Sequence, residues 1–239
     1  MIEAVLFDLD DTLHDDTQTY RRAAERVAQE IARGNGVSAE ALRRSYVEQA
    51  DAFWVQLGAS SLGTPLVSLR ERMWHAALVA QGIDDPELAR RCAADYNRYR
   101  TEYLELWPGA IDLLTSLRKR GCRLAMITNG FAETHREKIA ILQLEDAFDE
   151  IFIADEVGML KPDPRLFRLA ADRLGVAPER CAMVGDRFER DVRGGHSAGM
   201  FTVWMNVRDE AVPPEGPQPG AIVTNIRDVE GVLPLARKR

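Results

Sequence analysis

Three patterns of apolar and polar positions succeed one another along the chain. Ile2 to Phe7 is an almost unbroken apolar run, the signature of a strand buried on both faces of a parallel sheet. From about Asp16 to Leu106 the period becomes helical. Tyr20, Ala23, Ala24, Val27 and Ile31 follow one helix face, and Gly34-Asn35-Gly36 ends that helix. Ser38 is placed to cap a second helix carrying Tyr46, Ala50, Phe53 and Trp54. Ser68 and Glu71 have capping-box spacing ahead of a third with Met73, Trp74 and Ala77. Asp85-Pro86 opens a fourth, with Leu88, Cys92, Tyr96, Tyr99 and Tyr103 on one stripe. Four amphipathic helices with short joints predict a small bundle whose core takes the aromatic side chains.

From Pro108 onward, strands and helices alternate. Helices are predicted over Ala110 to Arg120, Ala132 to Leu142 and Pro164 to Leu174. Strands are predicted over Arg123 to Thr128, Ile151 to Ala154, Cys181 to Val184 and Met200 to Met205. Ala221 to Val223 reads as a last short strand and Val229 to Leu235 as a terminal helix. Strands joined by helices of this length require right-handed crossovers, so the fold class is α/β with a doubly wound parallel sheet. The first strand belongs with this block, although the helical segment separates them. The expected organisation is therefore an α/β core domain, residues 1–15 and 107–239, interrupted by a four-helix domain, residues 16–106. The insertion is expected over the carboxyl edge of the sheet, where open α/β folds bind ligands.

Composition narrows the setting. The chain of 239 residues is long enough for a core plus an insert, and 46% hydrophobic with 29% charged residues is ordinary for a globular protein. Cys92, Cys122 and Cys181 are far apart and lack metal-binding spacing, which predicts free thiols in a reducing compartment. The opening MIEAVLFDLDD has no basic stretch before its apolar run, unlike a signal peptide, and no segment approaches the roughly 20 apolar residues of a membrane span. A cytoplasmic location is the expectation. The net charge of −7 argues against nucleic acid as a partner. It is compatible with a small phosphorylated metabolite, because one divalent cation and a few local donors can reverse the field in a cleft.

The chemistry gathers at strand ends. Asp8, Asp10 and Asp11 follow the first strand in FDLDDTL, and strand alternation would put Asp8 and Asp10 on one side. Such close carboxylates repel, and a hard divalent cation relieves the repulsion. Thr128-Asn129-Gly130 ends the next strand with a hydroxyl, a small residue and helix N-terminal amides, all suited to phosphoryl oxygens. Lys161 lies in GMLKPDP; Asp186 follows Val184-Gly185, with Asp191 five residues on. Each segment alone has a bland alternative: an acidic turn, an Asn-Gly turn, a solvated lysine or a helix cap. Four of them converging on one sheet edge point to a phosphate-handling site.

In order and spacing, DLDDT, ITNG, KPDP and GDRFERD resemble the four motifs of the haloacid dehalogenase (HAD) superfamily, and the insert matches the position of that superfamily's α-helical C1-type cap. The ITNG segment, DDT and the run THREKI are most similar to the branch of N-acylneuraminate-9-phosphatase and the pyrimidine 5'-nucleotidases. The resemblance implies a Mg²⁺-dependent phosphatase, since dehalogenases of the superfamily lack an aspartate equivalent to Asp10. It implies Asp8 as nucleophile through an aspartyl-phosphate and Asp10 as general acid and base. Mg²⁺ would be held by the Asp8 carboxylate, the Asp10 backbone carbonyl and the Asp186 carboxylate. Thr128, the Asn129 amide and Lys161 would bind phosphate oxygens, with Asp191 orienting Lys161 or metal-bound water. Arg187 departs from the small hydroxyl residue common after the last aspartate, which touches substrate choice rather than reaction class. The substrate expected is a sugar phosphate or nucleoside 5'-monophosphate. A phosphomutase of the same superfamily and a non-catalytic binding protein are the alternatives. His14 and Asp15 follow the first motif closely enough to face the cleft, whereas His75, His135 and His196 read as surface or core, and the RKR tail as a solvated end.

Overall fold

Hydrophobic runs too short for helices become the strands of one sheet. The computed structural model describes residues 1–56, 63 and 65–236; the RKR tail lies outside them. The chain forms two compact units, Met1–Asp15 with Glu105–Arg239, and Asp16–Leu104.

The first unit is an α/β domain. Its strands are β1 (Ala4–Phe7), β2 (Arg123–Thr128), β3 (Glu150–Ile153), β4 (Cys181–Gly185), β5 (Phe201–Met205) and β6 (Ala221–Val223). They form a six-stranded sheet in the order β3-β2-β1-β4-β5-β6, with every pair parallel. The order reverses at β1, the chain's first strand, which therefore has β2 on one side and β4 on the other. Phe7 lies opposite both Met126 and Val184, so the residues after β1 emerge between the carboxyl ends of its two neighbours. That is the switch-point position where open parallel sheets bind ligands.

Both faces of the sheet are covered, which is why β1 is apolar throughout and fully buried. Ala4 and Leu6 face one layer, packing with Ala125, Ile127, Phe167 and Ala170; by alternation Val5 and Phe7 face the other. The domain's helices are α5 (Ala110–Lys119), α6 (Ala132–Ile141), α7 (Ala154–Val157), α8 (Pro164–Leu174), α9 (Arg193–Ala198) and α10 (Val229–Val232). A π-helical turn, Phe188–Val192, precedes α9. Several predicted boundaries shift by a residue or more, and two of the shifts have a clear local cause. Ala154 opens α7 instead of ending β3, and α10 stops at Val232 because the chain turns extended at Leu233, ahead of Pro234. Leu235 then bridges to Ile2, whose N–H donates to Pro234 O at 3.0 Å.

The second unit consists of α1 (Asp16–Asn35), α2 (Ala39–Val55), α3 (Leu66–Val79) and α4 (Pro86–Tyr103). Ser38 Oγ accepts from the Ala41 N–H at 3.3 Å and Asp85 Oδ1 from the Leu88 N–H at 2.9 Å, the caps anticipated for α2 and α4. The predicted cap at Ser68 is corrected: α3 starts at Leu66 behind Pro65, and Ser68 lies inside it. Proline's fixed φ prepares the entry, and burial of Leu66 and Leu69 draws the earlier turn into the helix. Tyr46 stacks on Trp74 at 4.0 Å between centroids and meets Tyr96 at 5.0 Å, so these aromatics are bundle core. No helix among the described residues is long and apolar enough to cross a membrane.

Candidate active site

Asp8 is the first residue beyond β1. Its N–H donates to Val184 O at 2.9 Å, continuing the β1–β4 pairing for one more step. The carboxylate is buried and meets Lys161, whose Nζ lies 2.7 Å from Asp8 Oδ1 and 2.7 Å from Asp191 Oδ1. Lys161 is itself only 4% exposed, so the solvated reading of a lone lysine is replaced by a buried, doubly paired one.

The backbone of Lys161 is clamped by Asn129. The Lys161 N–H donates to Asn129 Oδ1 at 2.8 Å, and Asn129 Nδ2 donates to Lys161 O at 2.9 Å. Both ends of the Asn129 side chain are thus spent on the lysine loop. Thr128 ends β2, buried at 1% exposure. Of the amides at the start of α6, that of Ala132 donates to Asp155 Oδ2 at 3.0 Å.

Asp186 follows β4 and is 2% exposed; Trp204 Nε1–H donates to its carbonyl at 2.8 Å. Its carboxylate pairs with Arg187 Nε at 3.2 Å and with Arg208, which also reaches Asp11 Oδ2 at 3.1 Å. Asp191, brought round by the π-helical turn, accepts the Arg187 N–H on Oδ2 at 2.9 Å. Gly185 makes room for it: a Cβ there would lie 2.3 Å from Asp191 Cγ.

Asp8, Asp186 and Asp191 bring ligand oxygens within 4.8 Å of one another, all buried. Burial raises the Asp8 pKa to about 6; the charge of Asp191 adds to this and Lys161 opposes it. Asp186 is pushed well above the carboxylate range by burial, then by Asp8 and Asp191, with Arg187 opposing. Asp8, Asp186 and Asp191 together form a buried, all-oxygen donor set, and a hard divalent cation fits it.

Asp10 lies in a different environment. Lys138 Nζ is 2.7 Å and His14 Nε2 2.8 Å from Oδ1, and His135 Nε2 is 3.3 Å from Oδ2. Burial works against its ionisation, but Lys138, His135 and His14 outweigh it and hold the carboxyl well below the usual range. His135 is buried, within the surface-or-core expectation, and its place beside Asp10 is what the sequence did not show. Lys138 and Arg208 were not anticipated at all. The run THREK places residues 135 and 138 on one face of α6, a spacing that makes them neighbours without saying what they face. His14 is fully buried against Asp10.

An all-parallel sheet with buried carboxylates and a buried lysine at its carboxyl edge defines an α/β enzyme with an acidic, cation-compatible centre. A sequence profile of the haloacid dehalogenase-like hydrolases matches residues 2–199, and the chain belongs to that family. It is 36% identical to the phosphoserine phosphatase of Thermus thermophilus, over 95% of this chain and 98% of that one. It is 35% identical to the glyceraldehyde 3-phosphate phosphatase of Methanopyrus kandleri, over 85% and 83% of the two chains. Identity to the N-acylneuraminate-9-phosphatase of Rattus norvegicus is 31%, over 97% and 94%. Among solved structures, the HAD-hydrolase YfnB from Bacillus subtilis, bound to magnesium, superposes with a TM-score of 0.77 at 23% identity, covering 98% of this chain and 99% of that one. This likeness concerns the fold.

Proposed function

We propose that this protein is a divalent-metal-dependent phosphomonoesterase acting on a small phosphorylated metabolite. The observation that carries the reading is the buried Asp8 carboxylate, 2.7 Å from the Lys161 ammonium and grouped with Asp186 and Asp191. Relatives named as phosphatases, matched over nearly their whole length, support the same reaction class.

In this reading Asp8 attacks phosphorus in line and carries the phosphoryl group as an aspartyl-phosphate, splitting hydrolysis into two steps. Lys161 neutralises charge on the transferring group and is kept in place by Asp191 and the Asn129 clamp. Thr128 and the Asn129 N–H are the remaining donors for phosphoryl oxygens. Asp10, which Lys138, His135 and His14 favour as the carboxylate, must take up a proton to protonate the departing alcohol; as the carboxylate it then accepts a proton from the water that attacks the phosphoenzyme. Mg²⁺, held by the Asp8 and Asp186 carboxylates and the Asp10 carbonyl, would supply charge neutralisation between the anionic nucleophile and the anionic ester. The helical unit serves as the cap domain that selects the substrate. A sugar phosphate or nucleoside 5'-monophosphate is the expected class, to which the named relatives add phosphoserine and glyceraldehyde 3-phosphate.

The test is release of inorganic phosphate from a panel of phosphorylated metabolites with Mg²⁺, for the wild type and Asp8→Asn. Release by the wild type alone is expected. Equal release by Asp8→Asn, or none by the wild type from any ester including 4-nitrophenyl phosphate, rejects the reading.

A further inference from the structure

Asp10 is held by three side chains that the phosphoryl-transfer machinery does not itself use. Two donors converge on Oδ1, Lys138 Nζ at 2.7 Å and His14 Nε2 at 2.8 Å, while the His135 ring faces Oδ2 at 3.3 Å. Contacts on both oxygens fix the plane of the carboxylate as well as its position. Of these contacts only His14, four residues on and bridged to Asp10, is local; β1 has ended at Phe7, and Asp11 has a left-handed backbone with φ 59°. A carboxylate on such a turn has its rotamer set only by what it touches.

The fold invests in these contacts. His14, His135 and Lys138 are 0%, 1% and 4% exposed, and burying two imidazoles and an ammonium beside one carboxylate costs desolvation that exposed partners would avoid. His135 and Lys138 sit three residues apart on α6, so one helix face presents both. Gly130 has no side chain where the His135 ring lies; a Cβ there would fall 1.8 Å from Cε1. His135 Nδ1 lies 3.2 Å from Phe131 O, which turns Nε2 towards Asp10.

We propose that Lys138, His14 and His135 are positioning residues that aim the Asp10 carboxyl at the leaving-group oxygen. The proposal rests on the acid/base reading of Asp10 above and extends it to three residues that act through Asp10. Its consequence is selective. Aim matters most when the leaving alcohol needs a proton, as an alkyl alcohol does, and least for 4-nitrophenolate, which departs without one.

The experiment compares kcat/KM for an alkyl phosphate and for 4-nitrophenyl phosphate, both with Mg²⁺, in the wild type, Asp10→Asn, Lys138→Met, His14→Gln and His135→Gln. For Lys138→Met and His14→Gln the alkyl value is expected to fall at least 10-fold more than the aryl value, with a smaller gap for His135→Gln. Lys138→Arg should recover part of the loss, and Lys138→Met added to Asp10→Asn should cost nothing further. Where Lys138→Met folds too poorly to assay, His14→Gln and Lys138→Arg carry the same comparison. If Asp10→Asn shows the selective loss while Lys138→Met and His14→Gln lose both substrates equally, the positioning role is overturned and the acid/base reading stands. If Asp10→Asn itself shows no selectivity, the acid/base reading fails and the positioning role falls with it.

Discussion

Gly130 and His135 occupy each other's space: the imidazole sits where any larger residue at 130 would project its Cβ, 1.8 Å from Cε1. Gly130→Ala must therefore displace a ring that is 1% exposed. Overpacking of this kind costs about 2 kcal/mol. A lowered thermal midpoint is expected, together with a drop in turnover, and His135→Ala in the same chain should restore much of the midpoint. Calorimetry on the single and double variants checks this.

Lys161 bridges Asp8 and Asp191, at 2.7 Å from each. Lys161→Met would leave both carboxylates buried without it. Breaking a buried pair costs about 3–5 kcal/mol, and losing a cation aimed at the transferring group costs about 100-fold or more in kcat. Denaturant unfolding and phosphate-release kinetics measure the two effects separately.

The pH dependence of stability without metal should report Asp8. Its pKa is about 6 in the folded protein against 3.8 for the ordinary group, so between these values the folded state holds a proton that the unfolded state lacks. Stability from this group is full below about pH 4 and is lost as pH rises to about 6. Against Asp8→Asn in EDTA, the wild type should thus lose stability across that window. Chemical denaturation at stepped pH follows it.

Asp10 has the opposite sign, because its folded pKa lies well below 3.8. Its contribution is present above the ordinary carboxylate range and is lost as pH falls through the depressed value. Asp10→Asn should destabilise the protein at neutral pH by about 2 kcal/mol, reduced from a fully buried pair because the side chain is 27% exposed. Lys138→Met in the same chain should offset part of it. The midpoints of the two variants at pH 7 decide the sign.

Metal removal should abolish activity, and Mg²⁺ should restore it. Arg208 pairs with Asp186, a residue of the proposed cation site, so the guanidinium and the cation compete for that carboxylate. Arg208→Gln is expected to tighten Mg²⁺ binding several-fold, read by isothermal titration and by the Mg²⁺-induced rise in thermal midpoint.

Much of the molecule is local enough to be written in the sequence. The apolar run of β1, the helical stripes, the caps at Ser38 and Asp85 and the strand-helix alternation depend on neighbours a few residues away. The segments DLDDT, ITNG, KPDP and GDRFERD are legible for the same reason, since each is a strand end or the loop before a helix. Even so, a competing local choice could shift a boundary, as Pro65 did to α3 and the extended turn before Pro234 did to α10.

Only the tertiary structure decided how the acidic residues differ. Asp8 and Asp10 look equivalent in FDLDDTL, yet burial among carboxylates raises one pKa and a shell of Lys138, His135 and His14 lowers the other. Lys138 is 128 residues from Asp10 along the chain, and Arg208 is 197 from Asp11. No local propensity encodes such pairings. They follow from the parallel sheet bringing β1, β2 and β4 side by side, so that desolvation and charge act between residues that the sequence keeps far apart.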